Sequence, residues 1–312
     1  MKPLLVSVLF IIIASSQATP PRVSKSYRND YTYNKKTDAF YKLHIESADQ
    51  QRAVDVCREE GAALMVPDSH MDIIQFHEMY KQFPDLGDYV WVGNDKIRHE
   101  SAEEEAIFVY EEETTRVPAP WNRECNVATR HGEIETYVCA NRLPFVCKVD
   151  ANQAPYDSAC GVYANGYEYV ANIGSCYKIP RLAYAWNEAY AECRSQGAHL
   201  VVLNSQAEHD AVMEVMRKTR LLPDSYMPYY FIAGYRATVP TDGSPRVFKT
   251  IFNVFLSDQT ITEAGYSKWA DTEPNNVNGN ENCGSLFEND GNLNDQDCAK
   301  RYGFICEKEK DS

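Results

Sequence analysis

The sequence predicts an α+β fold built twice in tandem. Three observations carry this: an internal repeat centred on cysteines, amphipathic segments that end at glycine, and short apolar segments that close each unit at a cysteine. Cys57-Arg58-Glu59-Glu60-Gly61-Ala62-Ala63-Leu64-Met65-Val66 returns as Cys193-Arg194-Ser195-Gln196-Gly197-Ala198-His199-Leu200-Val201-Val202. Near each end, Arg142-Leu143-Pro144-Phe145-Val146-Cys147 matches Arg301-Tyr302-Gly303-Phe304-Ile305-Cys306. The last three cysteines of each unit fall in like order, 125, 139 and 147 against 283, 298 and 306. Self-similarity at this scale marks one folding unit used twice. The units are placed at 27–148 and 160–308, joined by a Pro-containing linker at 149–159.

Taken in order, residues 1–18 begin with one Lys, continue as an apolar run from Leu4 to Ala14 and end in Ser16-Gln17-Ala18. This is the layout of a secretory signal peptide, and the run is too short to span a bilayer. A secreted, extracellular chain is expected, with no membrane span. In each unit a first helix is expected, Ser47 to Glu60 and Leu182 to Gln196, with apolar residues and the cysteine on one face and a glycine at its end. Second helices follow from Ser69 to Gln82 and Ser205 to Lys218, each opened by a serine that can accept from the free amides of the first turn. Short apolar strands come next, Tyr89-Val90-Trp91-Val92-Gly93 and Tyr230-Phe231-Ile232-Ala233-Gly234. The closing strands end in Phe145-Val146-Cys147 and Phe304-Ile305-Cys306. Each unit thus reads as two helices against a small antiparallel sheet, with a long irregular region that shows no periodicity.

Ten cysteines in an exported chain of 312 residues are expected to pair, because thiols oxidise in that compartment and no CxxC of a zinc or redox site occurs. The formal charge of -14 argues against nucleic acid or an anionic membrane as partner, since both would be repelled. Catalysis has little support. The seven histidines are scattered, and neither GxSxG nor HExxH is present.

The stretch Asp271 to Cys298, DTEPNNVNGNENCGSLFENDGNLNDQDC, packs carboxylates and side-chain amides between cysteines. Ca²⁺ takes six to eight such oxygens and tolerates irregular geometry. Glu273, Asn275, Glu281, Asn294 and Asp295 offer three carboxylates and two amides. An EF-hand starting at Asp290 fails. Its sixth position is Asp295 where glycine makes the turn, and its twelfth is Arg301 where a bidentate Glu is needed.

With Glu273-Pro274-Asn275, Glu281 two before a cysteine, Asn294-Asp295, Trp91-Val92-Gly93 with its counterpart Ile232-Ala233-Gly234, and the terminal Phe-x-Cys, the chain resembles the C-type lectin family. Two copies behind a signal peptide look like the tandem-domain insect immune lectins called immulectins. The resemblance implies two C-type lectin-like domains stapled by Cys57 to Cys147, Cys125 to Cys139, Cys193 to Cys306 and Cys283 to Cys298, with Cys160 and Cys176 as an extra hairpin pair. It implies a cis peptide before Pro274. It implies that Glu273, Asn275, Glu281, Asn294 and Asp295 hold Ca²⁺ and also bond two vicinal sugar hydroxyls. In the family the Glu-Pro-Asn order goes with mannose- or glucose-type sugars and Gln-Pro-Asp with galactose. The expected partners are such glycans on microbial surfaces, polysaccharide or lipopolysaccharide, with oligomeric state left open.

The chain departs from the family pattern in places. Leu293 stands where the family has Trp, which bears on loop packing more than on coordination. Asn276 and Asn282 replace the Asp residues of a second calcium site, so that site is expected to be weak or absent. The first unit has Ala119-Pro120-Trp121-Asn122 in place of Glu-Pro-Asn, and Glu135-Thr136 ahead of Cys139. Its acidic runs, 103–105 and 111–113, read as a solvated face. The first unit is therefore expected to lack the calcium motif. A calcium-independent protein-interaction module is the alternative function.

Overall fold

A computed structural model describes residues 26–93, 123–219, 224–238, 244–251 and 259–310. The expected signal peptide, the Ala119-Pro120-Trp121-Asn122 stretch and the acidic runs lie outside the described residues.

In the amino-terminal half the elements run β1 (Thr32–Asn34), β2 (Ala39–Ala48), α1 (Gln50–Glu59), β3 (Ala63–Leu64), α2 (His70–Tyr80), β4 (Tyr89–Trp91), β5 (Glu124–Thr129), β6 (Ile134–Val138) and β7 (Leu143–Asp150). They form one sheet in the order β1-β2-β7-β4-β5-β6, with β3 also paired to β7. The carboxy-terminal half holds β8 (Glu168–Val170), β9 (Ser175–Lys178), α3 (Trp186–Ser195), β10 (His199–Leu200), α4 (Gln206–Arg217), β11 (Tyr230–Thr238), β12 (Val247–Thr250), α5 (Ile261–Ala264), β13 (Glu281–Phe287), β14 (Leu293–Asp297), β15 (Gly303–Phe304) and β16 (Cys306–Glu309). Here there are two sheets, β10-β16-β9-β8 and β12-β11-β13-β14, the latter with β15 on β11.

The first helices begin later than the sequence suggests. Asp49 keeps extended angles and accepts from Arg52 N at 2.9 Å, so Ser47 and Ala48 stay in strand or at its end and α1 starts at Gln50. Ala185 is likewise extended, and the Glu188 carboxylate accepts its N–H at 2.9 Å before α3. Both helices end alike. Gly61 and Gly197 each adopt φ of +80°, where a side chain would be strained, and the chain then reverses through paired bonds. These are Gly61 N to Arg58 O (3.0 Å) with Ala62 N to Cys57 O (2.8 Å), and Gly197 N to Arg194 O (3.1 Å) with Ala198 N to Cys193 O (3.0 Å). Ser69 and Ser205 cap α2 and α4, accepting from Asp72 N and Glu208 N at 3.2 Å each.

Two expectations need correction. The sheets are not purely antiparallel: β4 pairs parallel with β7 (Trp91 opposite Phe145), and β11 pairs parallel with β15 (Phe231 opposite Gly303). More than fifty residues separate each pair, and a connection of that length lets a strand return in the same direction. The region read as irregular also carries strands β5, β6 and β12 to β14. Their alternation is hidden because bulges interrupt the register, as between Ile232 and Arg236 opposite β13, and because Asn and Asp sit on inward positions of β14.

The five disulfides are Cys57–Cys147, Cys125–Cys139, Cys160–Cys176, Cys193–Cys306 and Cys283–Cys298, and the described residues include no free cysteine. Each outer bridge joins a first helix to the closing strand within a buried cluster, with Trp91 and Phe145 in one half and Trp186 and Phe304 in the other.

The halves touch through buried charge. The Arg28 side chain is wholly buried and grips Glu192 with both amino groups, at 2.8 and 2.7 Å, while also reaching Glu60 at 3.3 Å. Tyr31 donates to Glu60 at 2.6 Å, and His44 and Lys42 pair with the same carboxylate. Burial pushes the Glu60 carboxyl up, but His44, Arg28 and Lys42 together hold it well below the ordinary carboxylate range. Asn29 N donates to Ser195 O across the same boundary at 2.9 Å. The linker is short and packed. Lys148 to Asp150 belong to β7, Ala151 and Ala154 lie against the first core, and Pro155 sits so near Gly61 that a Cβ there would meet it at 2.5 Å.

Candidate functional site

The oxygen-rich segment folds at one end of the β13–β14 pair. Thr272, Asn276 and Asn278 have positive φ (72°, 50° and 57°), and Gly279 follows at 76°. Asparagine tolerates that region because its short amide bonds nearby backbone. Part of the asparagine enrichment therefore serves the turn: Asn276 Oδ1 accepts from Glu281 N at 3.2 Å, and Asn275 Oδ1 accepts from Val277 N at 3.1 Å. The Glu273–Pro274 peptide is cis. Asp290-Gly291-Asn292 forms the tight turn between β13 and β14, where Asn292 N and Nδ2 both donate to the Asp290 carboxylate at 3.0 and 2.6 Å.

Asp295 holds the site together. Its side chain is completely buried on β14, and its two oxygens accept from Asn275 N and Asn276 N at 3.0 Å each. The loop is thereby tied to the sheet. Glu273 is half-buried above it, accepting from Asn275 N at 3.0 Å and Asn275 Nδ2 at 2.9 Å. Glu281, at the start of β13, accepts from Val277 N at 2.7 Å. Asn294 is buried beside Asp295, and its Nδ2 donates to Asp295 O at 2.7 Å, which fixes the amide plane. All five sequence-predicted residues thus lie in one patch, Asn275 exposed and Asn294 and Asp295 beneath.

Negative charge is crowded in this patch. Partial burial and the neighbouring Asp295 carboxylate push Glu273 up to about 7, against the donation it receives from Asn275. Burial and Asp295 also raise Glu281, although the Val277 amide and Arg246 oppose the shift. The donor set is entirely oxygen, hard and in excess of negative charge, which fits a divalent cation such as Ca²⁺. Tighter groups of metal-ligating side chains, within 4.8 Å of one another, lie elsewhere among the described residues: His44, Glu60 and Cys147, and His199, Glu307 and Glu309. Cys147 is spent in a disulfide, and His199 Nδ1 lies 2.9 Å from Leu200 O.

Sequence reasoning missed one residue here. Arg246, just before β12, places Nη2 at 2.9 Å from Asp295 Oδ2, bonds the Glu281 carbonyl through Nη1 and approaches Asn282 Oδ1 at 3.4 Å. No local motif announces it, because it comes from 49 positions upstream of Asp295. In the amino-terminal half, Glu135 and Thr136 sit on exposed β6, where Thr136 donates to Glu124 at 2.9 Å. They do not reproduce the Asn294-Asp295 arrangement.

Residues 182–308 match the family model described as Lectin C-type domain. Such domains bind carbohydrate and are not enzymes. The chain is 34% identical over 158 residues to the "Hemolymph lipopolysaccharide-binding protein" of Periplaneta americana, covering 50% of this chain and 57% of that one. It is 30% identical over 148 residues to "Asialoglycoprotein receptor 2" of Homo sapiens, covering 46% of this chain and 40% of that one. The chain thus spans roughly half the length of these curated relatives. Among solved structures, the C-type lectin CEL-I from Cucumaria echinata is 22% identical, covering 46% of this chain and 94% of that one at a TM-score of 0.36. The segment that folds into the oxygen-rich patch is therefore the segment that matches the Lectin C-type domain.

Proposed function

We propose that the chain is a secreted, calcium-dependent lectin whose carboxy-terminal site, at Glu273, Asn275, Glu281, Asn294 and Asp295, takes mannose- or glucose-type sugars of microbial surfaces. The observation that carries this is the tie from buried Asp295 to the backbone of Asn275 and Asn276, which gathers three carboxylates and two amides in one patch. When bound, Ca²⁺ supplies open coordination positions for two neighbouring hydroxyls. Glu273 and Glu281 accept from those hydroxyls, while the amides of Asn275 and Asn294 donate to them. A bond to a charged carboxylate is stronger than a neutral one, so the carboxylates fix the orientation. One monosaccharide meets few groups, and affinity should be about millimolar, roughly -4 kcal/mol. Useful retention then needs several sites on one surface. The name of the Periplaneta relative supports lipopolysaccharide as a glycan class, and the apolar run at 4–14 supports export.

The amino-terminal half is proposed to be a second copy of the same domain without the calcium motif. Its paired helix ends, outer disulfide and Trp91–Phe145 contact favour that reading, and the exposed β6 favours a protein-binding role for it.

Retention on immobilised mannan with and without chelator is the test. Glu273→Gln with Asn275→Asp keeps one carboxylate and one amide but reverses donor and acceptor. Each donor left facing a donor costs about 1–3 kcal/mol, so mannan binding should collapse while calcium binding is kept. Retention that survives chelation, or an unchanged preference for mannose over galactose in the double variant, rejects the reading.

A further inference from the structure

Arg246 joins two strands of the site, approaches Asn282 and packs near a ring of the strand it leads into. Nη2 pairs with Asp295 Oδ2 on β14, Nη1 donates to the Glu281 carbonyl at the start of β13, and the guanidinium carbon stands 5.6 Å from the Phe248 ring centroid on β12. The Arg246 side chain is 19% exposed and the Asp295 side chain 0%, so the ion pair is sheltered from solvent. A planar guanidinium keeps its charge at any pH the protein meets, and its fork suits a carboxylate and a carbonyl side by side. Asp295 Oδ2 is shared between this guanidinium and the Asn276 amide. A cation ligated by that oxygen has to share it with a fixed positive charge.

We propose that Arg246 is an internal counter-cation of the calcium site, a positioning residue that holds Asp295 and its loop in shape without metal and sets calcium affinity low. This rests on the calcium-dependent reading given above. The charge count gives the direction. Glu273, Glu281 and Asp295 contribute three negative charges and Arg246 one positive, so a divalent ion completes neutrality. Without Arg246 the same ion meets three uncompensated carboxylates, and like-charge repulsion at close range is removed. A residue that only supported the loop would act the other way, and its loss would weaken calcium binding.

The test uses the full-length oxidised protein and two variants, Arg246→Gln and Arg246→Lys. Calcium is titrated calorimetrically, and thermal unfolding is followed in chelator and at saturating calcium. Arg246→Gln is expected to bind calcium about tenfold more tightly than the parent, to melt lower in chelator and to gain more from added calcium. Arg246→Lys keeps the charge but loses the fork, so its affinity should stay within about threefold of the parent. If Arg246→Gln folds and binds calcium no more tightly than the parent, the proposal is overturned. If that variant does not fold, the lysine variant decides: tenfold weaker binding overturns the proposal, and parent-like binding with a lower melting point in chelator supports it. Absence of calcium binding in parent and variants alike rejects the calcium reading itself, which separates the two failures.

Discussion

Beneath the second helix of each half lies a three-membered cluster, and the two halves fill it with opposite charge. In the amino-terminal half Tyr41 and Lys148 face each other across β2 and β7, and Tyr41 donates to Asp72 of α2 at 2.6 Å. In the carboxy-terminal half Tyr177 and Glu307 face each other across β9 and β16, and Tyr177 donates to Glu208 of α4 at 2.7 Å. The geometry is shared, but Lys148 sits 2.8 Å from Asp72 where Glu307 meets another carboxyl. Burial pushes Asp72 up, yet bonds from Lys148, Tyr41 and Ser69 bring it below its usual value. Burial and Glu208 drive Glu307 well above its own, against the donations of Val202 and Ser175. The scaffold therefore does not dictate the electrostatics of its core. A lowered carboxyl contributes stability above its unfolded pKa that is lost as pH falls through the folded value. A raised one contributes stability at low pH that is lost as pH rises. The halves should respond to acid in opposite senses.

The most severe way to break this contrast is Lys148→Glu, which gives the first half the second half's pair without its surroundings. Leaving buried Asp72 without its cation should cost about 3–5 kcal/mol, read as a lower urea midpoint for the transition that exposes Tyr41. A smaller effect belongs to the proposed calcium site alone. Because Glu273 is raised to about 7, its proton competes with calcium, and affinity should fall about tenfold for each pH unit below 7. In chelator the sign reverses: the protonated loop is favoured, so the contribution of Glu273 to stability is present below an unfolded pKa near 4.5 and lost as pH rises through about 7. Melting curves from pH 5 to 8, with and without calcium, check both directions.

Glu307→Gln sharpens the comparison further. It should stabilise the carboxy-terminal half at pH 8 and much less at pH 4, because burial and Glu208 raise the Glu307 carboxyl and the cost of ionising it is felt only at higher pH. A stabilisation equal at both pH values would mean that Glu307 is not the group responsible. The smallest effect concerns the caps. Ser69→Ala and Ser205→Ala should each cost about 1 kcal/mol. Ser69 should cost more, because its hydroxyl also donates to Asp72 Oδ2 at 2.8 Å, a bond that alanine cannot make. In the other half Glu208 instead accepts from Asn204 N at 2.7 Å. Chemical denaturation of the two variants side by side would show the difference.

Features written locally were legible in the sequence: the helix-ending Gly61 and Gly197, the capping Ser69 and Ser205, and the repeated cysteines. The five proposed site residues were picked out because the family's ligand order places them around Cys283 and Cys298. What escaped was fixed by distant partners. Trp91 lies parallel to Phe145 because the intervening chain is long enough to return, and no local pattern states that. Leu293 fits beneath the loop because Trp269 bridges to it and packs on the same core, a compensation visible only once the strands are assembled. No local pattern singles out Arg246 or Arg28, since burial is conferred on them by residues 49 and 164 positions away.

The Arg28 cluster limits how the chain can be taken apart. Glu192 is met by an arginine from the other half, so dividing the chain between its halves strands the Glu192 carboxylate on one fragment, while Arg28 keeps Asp30 and Glu60 on the other. Losing one partner of such a buried pair costs about 3–5 kcal/mol, a large part of what holds an ordinary domain folded. Exchange of either half for a relative's would meet the same obstacle unless both sides of the boundary were replaced together. In recombination the heritable module is thus the pair of halves, and the two halves, though their helix ends and outer disulfides correspond, are not interchangeable parts.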